Sequence, residues 1–246
     1  MNSTSKPVLK IDWATHEAAK YAVTHWHYSK SLPVGKSVKV GAWEDGKFIG
    51  VVIFAYGANN NIGTPYRLQQ VECCELVRVA LDKHNSAVSK IVAIAVRFLQ
   101  KASPGLRLVV SYADTAQGHH GGIYQAGNWA FVGTSKGATQ YVLNGRVVHS
   151  MQIQTQIRAG KMASREGLEK VQAGDKHKYL MPLDDAMREQ IAPLAKPYPK
   201  RTTRTKEQDT GYHPVLGGVT PTRVLQTCKE ATLEATGKTF AEVSNG

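Results

Sequence analysis

The chain has 246 residues, 42% of them apolar and 20% charged. That suits one packed domain with a tail and excludes a wholly disordered chain. No stretch approaches the ~20 consecutive apolar residues of a membrane span, MNSTSKPVLKID at the start lacks an apolar signal region, and three cysteines (Cys73, Cys74, Cys228) argue against a disulfide framework and for a reducing cytoplasm.

The 31 Lys and Arg residues face 19 acids, for a net charge of +12. The excess is spread as +8 over residues 1–157, +6 over 158–206 and −2 over 207–246. A polyanion, either nucleic acid or a phosphate-rich cofactor, is the partner such a chain suits.

Residues 12–24 have helical spacing, with Trp13, Ala18, Tyr21 and Ala22 on one face. The segment HWHYSKSLPVGK that follows reads as a loop. Residues 38–43 and 48–55 are strand-like, and Glu44-Asp45-Gly46-Lys47 between them signals a hairpin. Residues 57–65 read as a surface loop and 72–81 as a third strand. Over 88–101, Val88, Ile91, Val92, Ala95 and Leu99 form the apolar stripe of a helix. A buried strand is expected at 106–112, then a short helix through Tyr124. Strands at 129–132 and 141–150 follow, the latter folding on itself at Asn144-Gly145. Beyond residue 157 the pattern predicts a helix at 164–172, a short strand at 178–180 and a helix at 184–192. Residues 193–222 read as an extended arm, with one more amphipathic helix at 223–236.

This order predicts an α/β (α+β) fold with a mixed, mostly antiparallel central sheet flanked by helices. A core is expected over 1–157, a helical and basic extension over 158–206 that packs on it, and a tail over 207–246.

Several positions carry chemistry. A strand opening into a helix at Asp82–Val88 presents unpaired amides to an anion, with Asn85 or Ser86 as the N-cap and Ser86 and Ser89 as hydroxyl donors. Arg78 stands mid-strand between Val77 and Val79, so alternation puts it in a cleft while they face the core. It suits a cofactor phosphate, a DNA phosphate or the Glu75 carboxylate. Asp114 ends the buried strand, where it either faces a cleft or caps the turn at Thr115. His25, His27, His119 and His120 offer a metal only weakly, so no metal ligands are assigned. Cys73 and Cys74 read as packing residues.

The run Tyr124-Gln125-Ala126-Gly127-Asn128-Trp129-Ala130-Phe131-Val132-Gly133 resembles the closing stretch of the GCN5-related N-acyltransferase (GNAT) superfamily. That resemblance implies a GNAT-like sheet, a CoA thioester donor (acetyl-CoA or a relative), and Tyr124 as the acid toward the departing thiolate. The superfamily's Gln/Arg-x-x-Gly-x-Gly/Ala loop is absent, and DKHNSAVS stands in its place.

A narrower resemblance rests on HYSKSLPVGKSVKVGAWEDGKFIGVVIF, ELVRVALDKHNSAVSKI, GLRLVVSYADTAQGHHGGIYQAGNWAFVG and KHKYLMPLDDAMREQI–PYPKR. These segments resemble the phage Mom family of DNA adenine-modification proteins. The resemblance implies transfer of a carbamoylmethyl (methylcarbamoyl) group to N6 of adenine in double-stranded phage DNA, in the host cytoplasm, protecting it from restriction. On that footing Asp114, Tyr124, His27 and Tyr28 are the expected catalytic residues. Val77, Arg78, Val79, Asn85, Ser86 and Ser89 are the expected cofactor contacts. Trp26, Lys30, Lys36, Lys200, Arg201 and Arg204 are the expected DNA contacts. Trp26, Tyr28, Trp43 and Tyr66 are candidates to stack on an extruded base. The connector KPYPKRTTRTK, with five positive charges and none negative, suits the phosphate backbone. Two other readings remain at this point: a GNAT enzyme acetylating a protein or small-molecule amine, and a non-catalytic DNA-binding accessory.

Overall fold

Asp45 and Gly46 both take positive φ (51° and 76°), which a two-residue hairpin turn with the strands' own twist requires. The computed structural model describes residues 6–33, 35–56 and 61–200. Its strands run β1 (Leu9–Trp13), β2 (Ser37–Glu44), β3 (Lys47–Ala55), β4 (Cys73–Leu81), β5 (Leu108–Asp114), β6 (Ala130–Ser135), β7 (Thr139–Leu143), β8 (Arg146–His149), β9 (Lys170–Gln172) and β10 (Lys176–Pro182). The helices are α1 (His16–Trp26), α2 (Val88–Ala102), α3 (Gly122–Gln125), α4 (Ser150–Arg158) and α5 (Asp185–Ile191).

The central sheet has seven strands in the order β1-β2-β3-β4-β5-β10-β6. Every pairing in it is antiparallel except β4 with β5. The expected class is therefore the observed one: a mixed, mostly antiparallel sheet flanked by helices. One face packs on the apolar stripe of α2, through Ile91, Val92, Ala95, Val96 and Leu99. The other face takes α1 through Ala18, Ala19, Ala22 and Val23, and α5 through Met187 and Ile191. Caps fix the ends of both: the Thr15 hydroxyl accepts from Ala18 N–H, and Asp184 accepts from Met187 N–H. Asp184 also holds the Arg107 guanidinium in two bonds of 2.8 and 3.1 Å, tying the start of β5 to the end of β10.

Four elements depart from the sequence reading. Residues 176–182 sit inside the central sheet as β10, so the division at residue 157 does not fall between a core and an added layer. Tyr179 and Leu180 are fully buried there, and Lys178 just before them lays its ammonium over the Tyr66 ring. The helix expected at 164–172 is instead an irregular segment ending in β9, and a helix forms earlier, as α4. His149 caps it, its ring accepting from Met151 N–H. Trp13 belongs to β1 and not to a helix, because strand pairing with Val40 claims it. The N-cap of α2 is Ala87, with no side-chain cap, so neither Asn85 nor Ser86 serves there. The expectations for 57–60 and for 201–246, including Cys228 and the helix at 223–236, lie outside the described residues.

Candidate active site

β4 and β5 pair in parallel from Cys73 opposite Leu108 to Leu76 opposite Ser111, and no further. Beyond Leu76 the two strands diverge, which leaves the β5-side edge of Val77–Leu81 open. A bulge sits at the same point: Phe54 pairs with Leu76 and Ile53 with Arg78, so Val77 is the extra residue. The bulge overrides the alternation read from sequence. Val77 packs on the α1 side and Val79 on the α2 side, while Arg78 reaches the Ser31 carbonyl in the loop after α1 and the Val77 carbonyl at 2.7 Å.

Tyr124 approaches the gap from the α2 side. Ser111, fully buried, makes two hydrogen bonds, one of 2.8 Å to the Leu76 carbonyl and one of 2.7 Å with the Tyr124 phenol. The carbonyl accepts only, so Ser111 gives it its single proton and the phenol donates to Ser111. Burial pushes the Tyr124 phenol up to about 12, against the pull of that bond. Tyr179 and Trp129 hold the ring, each with centroid 5.1 Å away. Gly121 leaves room for Tyr179, whose ring a Cβ there would strike.

Asp114 lies three residues past Ser111 on an unbroken strand, so alternation turns it to the opposite face. Its Oδ1 accepts from Ala116 N–H, so the capping role foreseen for it is present. Asp114 and Tyr124 thus flank the gap from the sheet's two faces, and Tyr28 links them electrostatically. The Tyr28 phenol is raised first by burial and then by the Asp114 carboxylate, with Arg78 opposing, and Tyr28 in turn raises Tyr124. Its ring lies 4.3 Å from His27 and 5.7 Å edge-on from His119.

His27 is buried, and its imidazole is pushed down to about 4 by burial, then by the charges of Arg78, His119 and Lys30. Its Nδ1 accepts from Ser29 N–H, so the neutral ring carries its proton on Nε2. Glu75 is a site residue named in sequence only as a partner for Arg78. Burial raises its carboxyl, against the opposing charges of Lys176, Arg78 and Lys178. Ser111 escaped the sequence reading altogether. The signal for each was a polar residue inside an apolar strand.

At the other end of β4 the Glu44 carboxylate accepts from Asn85 N–H (2.7 Å), Asn85 Nδ2 (3.2 Å) and Ser86 N–H (2.8 Å). Those bonds hold it below the usual carboxylate range. The buried Ser86 hydroxyl adds to that pull without the alignment of a hydrogen bond. Asn85 and the Ser86 amide are therefore already engaged by Glu44, whereas the Ser86 hydroxyl, the group assigned to a phosphate, has no hydrogen-bond partner. The first amides of α2, at Val88 and Ser89, have no partner within the helix, and Ser89 is half-buried beside them.

Of the stacking candidates, Trp26 packs on Tyr21 and Phe48, Trp43 packs on Phe48, and Tyr66 is buried. Only Tyr28, 51% exposed, presents a ring at the gap. Lys30 bonds the His25 carbonyl, and Lys36 and Lys200 are exposed. Arg201 and Arg204 lie outside the described residues. His25 turns to the Tyr21 carbonyl, away from His27.

The family model described as the Mom protein family matches residues 8–200. The methylcarbamoylase mom of Escherichia phage Mu is 26% identical over 157 residues, covering 62% of this chain and 65% of that protein, just under two thirds of its length. Solved structures similar to the chain include a Bacillus subtilis acetyltransferase in complex with CoA (TM-score 0.44, 12% identity, 73% of this chain and all of that one). An IAA acetyltransferase from Bacillus cereus is comparable (TM-score 0.44, 13% identity, 72% of this chain and all of that one).

Proposed function

The chain belongs to the Mom protein family, and from that premise we propose that it transfers a methylcarbamoyl group to N6 of adenine in double-stranded phage DNA, shielding the DNA from host restriction. The observation that carries the reading is the gap between β4 and β5, which Tyr124 flanks from one face of the sheet and Asp114 from the other, with Tyr28 close enough to both to shift or feel their charge.

Two features fit a CoA thioester: the open edge of Val77, Arg78 and Val79, which offers backbone donors and acceptors to an extended amide chain, and the start of α2 at Ser89, which offers amides and a helix dipole to a phosphate. The loop amides of Asn85 and Ser86 belong to Glu44 and contribute nothing to that fit. Such a donor would supply a two-carbon unit on a thiolate leaving group, and the amide nitrogen of the transferred group would come from a separate amine source.

The chain's own groups supply the rest. Tyr124 keeps its proton throughout the physiological range, and the phenol, which donates to Ser111 at rest, must turn that proton from Ser111 to a leaving group. Its bond to Ser111 fixes the phenol's direction. Asp114 faces the opposite opening and accepts a proton from the adenine amine, a poor base that needs positioning above all. Tyr28 offers the exposed ring on which an extruded purine stacks, a contact worth about 1–3 kcal/mol. His27, neutral and stacked on Tyr28 at 4.3 Å, keeps a proton on Nε2 and steadies that ring.

Mass spectrometry of nucleosides from host DNA tests the proposal. Expression of the chain should yield a heavier deoxyadenosine, reduced at least about a hundredfold in Asp114→Asn and Tyr124→Phe. Both variants should still unfold cooperatively. Unmodified adenine in the presence of folded protein refutes the reading.

A further inference from the structure

Residues 136–172 form a small unit outside the central sheet. Its three strands, in the order β8-β7-β9, carry α4 on one side, with Tyr141 and Ile153 buried between them. The unit holds six basic and two acidic residues, and all six cations are exposed. Its leading edge is the β7–β8 ribbon, turned at Asn144-Gly145 with φ of 52° and 72°. Beyond that tip stand the exposed Arg146 and Val147. A recess of about 540 Å³ opens beside the ribbon, with Tyr141, Ser164, Arg165 and Lys170 on its walls, together with Glu166.

The unit is fastened beside Asp114. Thr115 N–H and Oγ1 both donate to the Asp175 carbonyl, at 3.0 and 2.7 Å. The Asp175 carboxylate accepts from Gly137 N–H and from Lys136. Gly174 lies so close to Ala116 that a Cβ on it would stand 2.5 Å from the Ala116 Cβ. Whatever the ribbon holds is therefore registered against the turn that follows Asp114.

We propose that this unit is the duplex-docking surface: the β7–β8 ribbon enters the major groove, Arg146 meets a base edge there, and Lys161, Arg165 and Lys170 hold flanking phosphates. A major groove about 12 Å wide admits a two-stranded ribbon, and adenine N6 is exposed in that groove. The unit's charge is complementary to the phosphate backbone, whose contacts set position while base contacts set sequence. The inference rests on the reading of the chain as a DNA adenine-modifying enzyme, and it says which surface presents the duplex to the gap.

The test uses the full chain, a labelled adenine-containing duplex and a salt series from about 50 to 200 mM. Removing one cation from a phosphate should flatten the slope of log affinity against log salt by about 0.9, so Lys161→Ala/Arg165→Ala/Lys170→Ala should flatten it by about 2.7. Arg146→Ala should raise KM for the duplex about tenfold and leave kcat at saturating DNA unchanged, because the catalytic groups are untouched. All four side chains are exposed, and a circular-dichroism melt checks that each variant folds. Slopes and KM equal to those of the parent chain, in protein that still modifies adenine, overturn the docking surface while leaving the function intact. A parent chain that binds the duplex with the predicted dependence yet leaves adenine unmodified supports the surface and refutes the function. A parent chain with no affinity for the duplex overturns both.

Discussion

His27 sits in surroundings far less polar than water. Its folded pKa of about 4 lies below the ordinary 6.5, so the unfolded chain takes up a proton that the folded chain refuses. The stability this neutral ring permits is fully present above pH 6.5 and is lost as pH falls toward 4. Melting temperature should therefore decline across that window, and His27→Gln should flatten the decline. An unchanged profile in the variant would assign the acid sensitivity to other groups. Legibility at this scale was uneven. His27 and Tyr28 were marked by a loop of Gly, Pro and aromatics, and Tyr124 by the motif around it. Trp26 and Tyr66 looked equally suited to stacking, yet both pack inward, because exposure depends on neighbours far along the chain.

Among the elements, the turn into α2 is the most unusual. A helix start without a side-chain cap is held by a carboxylate from the end of β2. Glu44→Ala should leave the Asn85 and Ser86 amides without that acceptor, lower the melting temperature and raise KM for a thioester donor several-fold. Glu44→Gln, keeping an acceptor oxygen, should fall between. The folded carboxylate lies below its usual range, so its contribution holds above the unfolded value and disappears as pH drops through the folded one. Glu44→Gln should lack that acid-side loss, which a urea titration at several pH values measures. Hairpins and the α2 stripe were visible in sequence because their signals are local. The bulge at Val77 was not: it arises from the pairing of β3 with β4, and strand alternation alone put Val77 and Val79 on one face, where they pack on opposite ones.

On the scale of the whole molecule, the late strand β10 completes the central sheet, and β6 joins that sheet through β10. Residues 176–191 bury Tyr179, Leu180, Met187 and Ile191, each worth about 1.5–3 kcal/mol. Together that rivals the net stability of a typical domain, about 5–15 kcal/mol. A chain ended at residue 157 should show no cooperative thermal transition. A cooperative melt of the shorter piece would show that the sheet closes without its seventh strand. KHKYLMP reads as only a short strand because the partners that bury it, β6 and β5, lie 41–74 residues upstream.

The same placement dictates an order of events during synthesis. Until residue 182 has left the ribosome, β5 presents a bare hydrogen-bonding edge and β6 has no partner, so only β1 to β5 can pair, a state prone to mispairing with other chains. Translation speed across 136–176 thus sets how long that edge stays bare.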